Sequence, residues 1–200
     1  MPKTTRTFVA ITVPEDRAAK IARLQMHLAI EITGVRWVEP KLMHATLAFL
    51  GDVPDTDLDS VCRAVGRACR GTGPIELKLE SLGVFPGACR PRSLWVAMNG
   101  EGRERLETLQ KAVAAAVTQA GYPPADGNRF FPHVTLGRVK DRRTGELDIS
   151  DLINHYRGWS AGSFTVAEIV TFASTTVHEG PIYTPLARVP LTGGKKATQA

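Results

Sequence analysis

The tetrad His44-Ala45-Thr46-Leu47 recurs as His133-Val134-Thr135-Leu136 in the second half of the chain. Only 5 of the 200 residues are histidine. With Thr and Leu each at roughly a tenth of the residues, two such tetrads arise by accident on the order of one time in a thousand. Whatever fold forms must therefore present the same short pattern twice. Each copy follows a proline-containing stretch and alternates as a β-strand does, with successive side chains on opposite faces. His44 and Thr46 then share one face, while Ala45, Leu47 and Phe49 share the other. His133 and Thr135 oppose Val134 and Leu136 in the same way. One face of each strand can pack and the other can do chemistry.

The remaining elements are read from periodicity. Residues 8–13 form a β-branched apolar run bounded by Pro14, and 35–38, 44–50, 75–82, 93–98, 133–139, 163–172 and 182–191 also read as strands. Helices are expected over 15–32, 57–70, 101–120 and 149–156. The first carries Ala18, Ile21, Leu24 and Leu28 at helical spacing behind an acidic first turn, and the third carries Leu106, Leu109, Val113 and Val117. Strands come in adjacent pairs, which argues for antiparallel sheets and an α+β class. Two similar lobes are expected within one unit over 1–192, with one tetrad in each, followed by a frayed tail over 193–200.

Composition narrows the function classes. A hydrophobic content of 43% and a charged content of 22% exclude a disorder-dominated chain. Met1 to Thr7 leads straight into a strand without an apolar signal core, and no apolar run is long enough for a bilayer, so a cytoplasmic protein off the membrane is expected. The 3 cysteines lack Cys-x-x-Cys spacing. Cys62 and Cys69, seven apart, read as small apolar residues on one helix face. The net charge of +5 and pI near 9.3 mildly favour an anionic partner. Arg129, Arg138, Lys140, Arg142 and Arg143 crowd the second tetrad, as either a solvated loop face or a rim that attracts phosphate.

Two histidines on separate strands suit phosphodiester cleavage. In-line attack needs a base to deprotonate the nucleophile and an acid on the opposite side to protonate the leaving oxygen. An imidazole with an ordinary pKa of about 6.5 can serve in either role near neutral pH. A threonine two residues on points the same way, and its hydroxyl can donate to a phosphate oxygen. Each tetrad taken alone fits a half-buried strand histidine beside an ordinary β-forming threonine; the duplication favours chemistry. A catalytic zinc typically takes three protein ligands, and no His-x-Glu, His-x-x-x-His or suitably spaced carboxylate occurs, so no metal is expected. The chain also lacks a Gly-x-Ser-x-Gly elbow, a P-loop and a dinucleotide fingerprint. By spacing alone, either histidine could be the acid.

Trp37-Val38-Glu39-Pro40, His44 through Gly51 and Phe130 through Arg138 together resemble the 2H phosphoesterase superfamily, and within it the RNA 2′,3′-cyclic phosphodiesterases once called 2′-5′ RNA ligases. The likeness extends to Gly83-Val84-Phe85-Pro86, Leu94-Trp95-Val96, Ser174, Gly180 and Tyr183. It implies a bilobal fold of two pseudo-symmetric lobes, with antiparallel sheets flanking a central cleft and helices outside. It also implies metal-independent hydrolysis of a terminal 2′,3′-cyclic phosphate to a 2′-phosphate, without a cofactor, by a monomer acting on RNA, oligonucleotide or nucleotide ends. Under this resemblance His44 is the proton donor, His133 the proton acceptor, and Thr46 and Thr135 hold the non-bridging oxygens.

Arg138 matches a basic family position, but strict alternation puts it on the face opposite His133. It is then either a rim residue or needs a bulge, at Gly137, to reach the cleft. Phe49 and Phe130 are candidate base-stacking residues, although Phe49 shares the packed face with Leu47. Relatives often have an Arg where Asn128 stands, so either Arg129 substitutes or one phosphate contact is missing. Two other readings keep the same residues: reversible 2′-5′ ligation or 2′-5′ cleavage, and an RNA-end binder without turnover.

Overall fold

The computed structural model describes residues 3–125, 130–140, 148–178 and 180–193. Phe8 to Ile11 are all buried at the middle of β1 (Thr4–Thr12). A strand covered on both faces belongs inside a sheet. Accordingly β1 lies between β3 (His44–Pro54) and β8 (Glu168–Val177), with β9 (Gly180–Pro190) beyond β8. A second sheet runs in the order β2 (Val35–Trp37), β6 (His133–Val139), β5 (Ser93–Asn99), β4 (Ile75–Phe85) and β7 (Ser160–Val166). All of these pairings are antiparallel. This is the α+β class that the paired strands imply, with one tetrad strand in each sheet.

The helices cross between the sheets. α1 (Glu15–Glu31) leaves the first sheet after β1 and opens on Glu15 and Asp16, which suit the positive end of the helix dipole. It packs on the second sheet, where Arg17 donates to the Ala161 carbonyl of β7. α3 (Arg103–Gln119) leaves the second sheet after β5 and packs with α2 (Leu58–Ala68) beside β3 of the first. Ile21, Leu24 and Leu28 of α1 join Leu106, Leu109, Val113 and Val117 of α3 in one continuous core shared by both sheets. A short α4 (Ser150–His155) precedes β7. Among the described residues no helix is long and apolar enough to cross a membrane.

Three expectations need correction. The single strand over 163–172 is two strands in different sheets, β7 and β8, parted at Ala167. No Gly or Pro marks that crossing, so composition carries no turn signal there. The tetrad strand β3 continues through Gly51, whose φ of +71° absorbs the bend, to Pro54. β4 likewise runs on to Phe85, past the expected strand end at Leu82. There Gly83 lies flat under the Trp95 ring, and a Cβ would sit 2.1 Å from Trp95 Cη2. Of the expected tail, only Gly193 is within the described residues, where its N–H donates to the Thr72 carbonyl at 3.0 Å.

Cys62 is half-buried, Cys69 buried and Cys89 exposed, all three as thiols. Burial raises the Cys62 pKa and pushes that of Cys69 up to about 11. Both helix cysteines are thus held as neutral packing groups.

Candidate active site

Strands β3 and β6 approach each other where the two sheets meet, in contact but without pairing. Between them opens a cleft of about 500 Å³ lined by His44, Thr46, His133 and Thr135. These four side chains are half-buried, whereas Ala45, Leu47, Val134 and Leu136 on the reverse faces are buried. Strand alternation therefore sorts the tetrads as the sequence implies.

Alternation then breaks at the same place in both strands. Against β1, Thr46 pairs with Ala10 and Ala48 with Val9, so Leu47 is an extra residue. Against β5, Thr135 pairs with Trp95 and Gly137 with Leu94, so Leu136 is extra. A bulge of this kind turns the following residues over by one place. Phe49 and Arg138 consequently join the histidine face, and both line the cleft. For Phe49 this corrects its expected place beside Leu47 in the core. For Arg138 it supplies the required bulge, centred on Leu136 rather than Gly137. The cleft face thus uses His44, Thr46 and Phe49 from one strand and His133, Thr135 and Arg138 from the other, at identical spacing.

Both imidazoles are anchored alike. His44 Nδ1 meets the Leu42 carbonyl at 2.7 Å, and His133 Nδ1 meets the Phe131 carbonyl at 2.7 Å. A carbonyl only accepts, so each Nδ1 carries hydrogen and each Nε2 is the nitrogen that gains or loses a proton. The rings are also wedged by aromatics. Phe8 and Tyr183 lie 5.0 and 5.2 Å from the His44 ring, while Phe85 stands edge-on to His133 at 5.3 Å.

Burial lowers the pKa of His44, the Leu42 carbonyl partly opposes this, and the positive charges of His133 and Arg138 lower it further. In the free protein His44 should titrate below its ordinary 6.5. Replacing Arg138 with Gln removes one positive charge, so the midpoint should move up. A ring-carbon NMR titration measures both, and an unchanged midpoint in that variant would show that Arg138 does not act on His44.

The other candidates scatter. Phe130 is part-buried against the main core and does not line the cleft; the rings around His133 are Phe85 at 5.3 Å, with Trp95 and Phe131 each at 6.1 Å. Asn128, Arg129, Arg142 and Arg143 lie outside the described residues, and Lys140 is exposed. Arg6, Arg36 and Tyr183 line the cleft as well. Arg6 stacks on Phe49 at 4.8 Å. Its place two residues before Phe8 on β1 is readable from alternation. No group of three or more His, Cys, Asp or Glu suited to a metal ion occurs among the described residues. The arrangement offers two proton-exchanging Nε2 atoms, two hydroxyl donors and the guanidinium groups of Arg6, Arg36 and Arg138 around one space.

The family description "LigT like Phosphoesterase" matches the chain twice, over residues 11–95 and 96–183. The chain belongs to the LigT-like phosphoesterase family. An RNA 2′,3′-cyclic phosphodiesterase of Aquifex aeolicus is 34% identical over 184 residues, covering 91% of this chain and 95% of that protein. A crystal structure from Thermus thermophilus matches with a TM-score of 0.77 at 27% identity, over 94% of this chain and 98% of that one. E. coli LigT complexed with 3′-AMP matches with a TM-score of 0.73 at 25% identity, over 95% and 99% of the two chains. In this LigT-like phosphoesterase each family copy contains one tetrad and one long helix, α1 in the first and α3 in the second.

Proposed function

We propose that this protein hydrolyses RNA 2′,3′-cyclic phosphate ends to 2′-phosphomonoesters, with His133 as base, His44 as acid and no metal in the reaction. The observation that carries this reading is the matched anchoring of the two imidazoles, which assigns proton exchange to Nε2 on both sides of one cleft. His133 Nε2 takes a proton from water as its oxygen bonds to phosphorus. The P–O3′ bond breaks in line, and His44 Nε2–H gives its proton to the departing O3′. The hydroxyls of Thr46 and Thr135 donate to the non-bridging oxygens, and Arg138 adds positive charge as negative charge builds there.

The depressed pKa of His44 has a use in this scheme. An anionic phosphodiester brings negative charge against the ring and offsets the fields of His133 and Arg138. Substrate binding therefore favours the protonated acid. The wall formed by Phe49 under Arg6 suits a terminal nucleotide. The names of the relatives, and the 3′-AMP complex of E. coli LigT, support a nucleotide end as the ligand.

Wild-type protein should convert 2′,3′-cyclic-phosphate RNA to the 2′-phosphate in EDTA as fast as without it. A 3′-phosphate product, loss of rate in chelator, or binding without turnover from pH 5 to 8 would overturn the proposal.

A further inference from the structure

Two buried polar side chains outside the cleft have no part in the chemistry above. Gln25 on α1 and Gln110 on α3 are each 7% exposed. Gln25 Nε2 donates to the Leu136 carbonyl at 2.9 Å and to the Val38 carbonyl at 2.8 Å. Gln110 Nε2 donates to the Leu47 carbonyl at 3.1 Å. Leu47 and Leu136 are the extra residues of the two bulges. Each helix thus aims one amide at the tetrad leucine of the sheet beside which it packs, and it does so in both halves.

A bulge interrupts the ladder, and a donor to a buried carbonyl there helps to hold it. The Leu136 carbonyl also accepts from the Val38 backbone N–H at 2.8 Å, so Gln25 is its second donor and ties the bulge to the Val38 carbonyl. An apolar residue in place of either glutamine would fill the space and supply no donor. What the bulges accomplish gives these two amides their significance. The bulges alone bring Arg138 and Phe49 to the histidine face, because an unbulged strand would turn both side chains away.

We infer that Gln25 and Gln110 are positioning residues, which fix the two bulges and so set Arg138 and Phe49 in the cleft. The consequence for turnover rests on the cyclic phosphodiesterase reading; the geometric claim does not. Gln25→Met keeps the length and removes the donor, and it should act through Arg138. The His44 titration midpoint should rise as it does in Arg138→Gln, and KM for 2′,3′-cyclic-phosphate RNA should rise about ten- to hundredfold, the loss expected for a hydrogen bond to a charged group. In an Arg138→Gln background, Gln25→Met should add little to either effect. Gln110→Met should leave the His44 midpoint in place and raise KM, with no further rise in a Phe49→Ala background.

A residue that merely stabilises the fold would lower the melting temperature equally in both backgrounds and leave the midpoint alone. A folded Gln25→Met protein with the wild-type midpoint would overturn the inference, whatever the substrate proves to be. The wild type provides a check that needs no variant. The side-chain amide protons of Gln25 and Gln110 should exchange slowly with solvent, and rapid exchange would also overturn it. If the wild type has no cyclic phosphodiesterase activity, the titration and exchange arms still decide the positioning claim.

Discussion

Alanine at His44 or at His133 is expected to lower kcat on 2′,3′-cyclic-phosphate RNA by about 10²- to 10⁴-fold, the usual contribution of a placed acid or base. Both side chains are half-buried at the cleft rather than in the core, so the variants should fold. The two losses should part company on an aryl phosphodiester whose phenolate leaves without a proton. His44→Ala should regain much of its rate on that substrate, since the acid is no longer needed. His133→Ala should stay impaired, because water must still be deprotonated. Equal recovery in both variants, or recovery in His133→Ala alone, would sink the assignment of acid and base.

Valine at Thr46 or Thr135 should lower kcat by about 10²- to 10³-fold, the range for removing one preorganised donor to a developing oxyanion. Valine keeps the β-branched shape that suits a strand and deletes only the hydroxyl. Serine should restore most of the rate, because the donor is restored and only a methyl is missing. Steady-state kinetics on all four variants check this, with melting temperatures confirming that each is folded. A fully active Thr46→Val and Thr135→Val pair would show that the hydroxyls do not contact the phosphate.

How much of this was legible in the sequence depended on whether local rules governed the residue. The faces of His44, Thr46, His133 and Thr135 follow from period-2 alternation, which the reverse-side residues Ala45, Leu47, Val134 and Leu136 confirm by being buried. Phe49 and Arg138 were not placed by that rule, since the bulges at Leu47 and Leu136 shift the phase and neither residue type announces a bulge. Phe130 packs against the core instead of lining the cleft, a placement set by partners distant in sequence. Division of 163–172 between two sheets depends on partners distant in sequence. The glutamines left a faint trace, as Leu24-Gln25 and Leu109-Gln110 each put an amide next to a core leucine in a helix. Only the fold shows which carbonyls those amides meet.

The crossing of α1 and α3 has a consequence for the chain as an inherited object. The first family copy holds His44, but the helix amide beneath its strand belongs to the second copy, and the reverse is true for His133. Neither half contains the parts for its own side of the cleft. A chain of half this length could assemble either histidine strand with its support only by exchanging helices with a second copy around a two-fold axis. Joining two such copies end to end would turn that intermolecular exchange into an intramolecular one, and would free the paired positions Phe49 and Arg138 to differ.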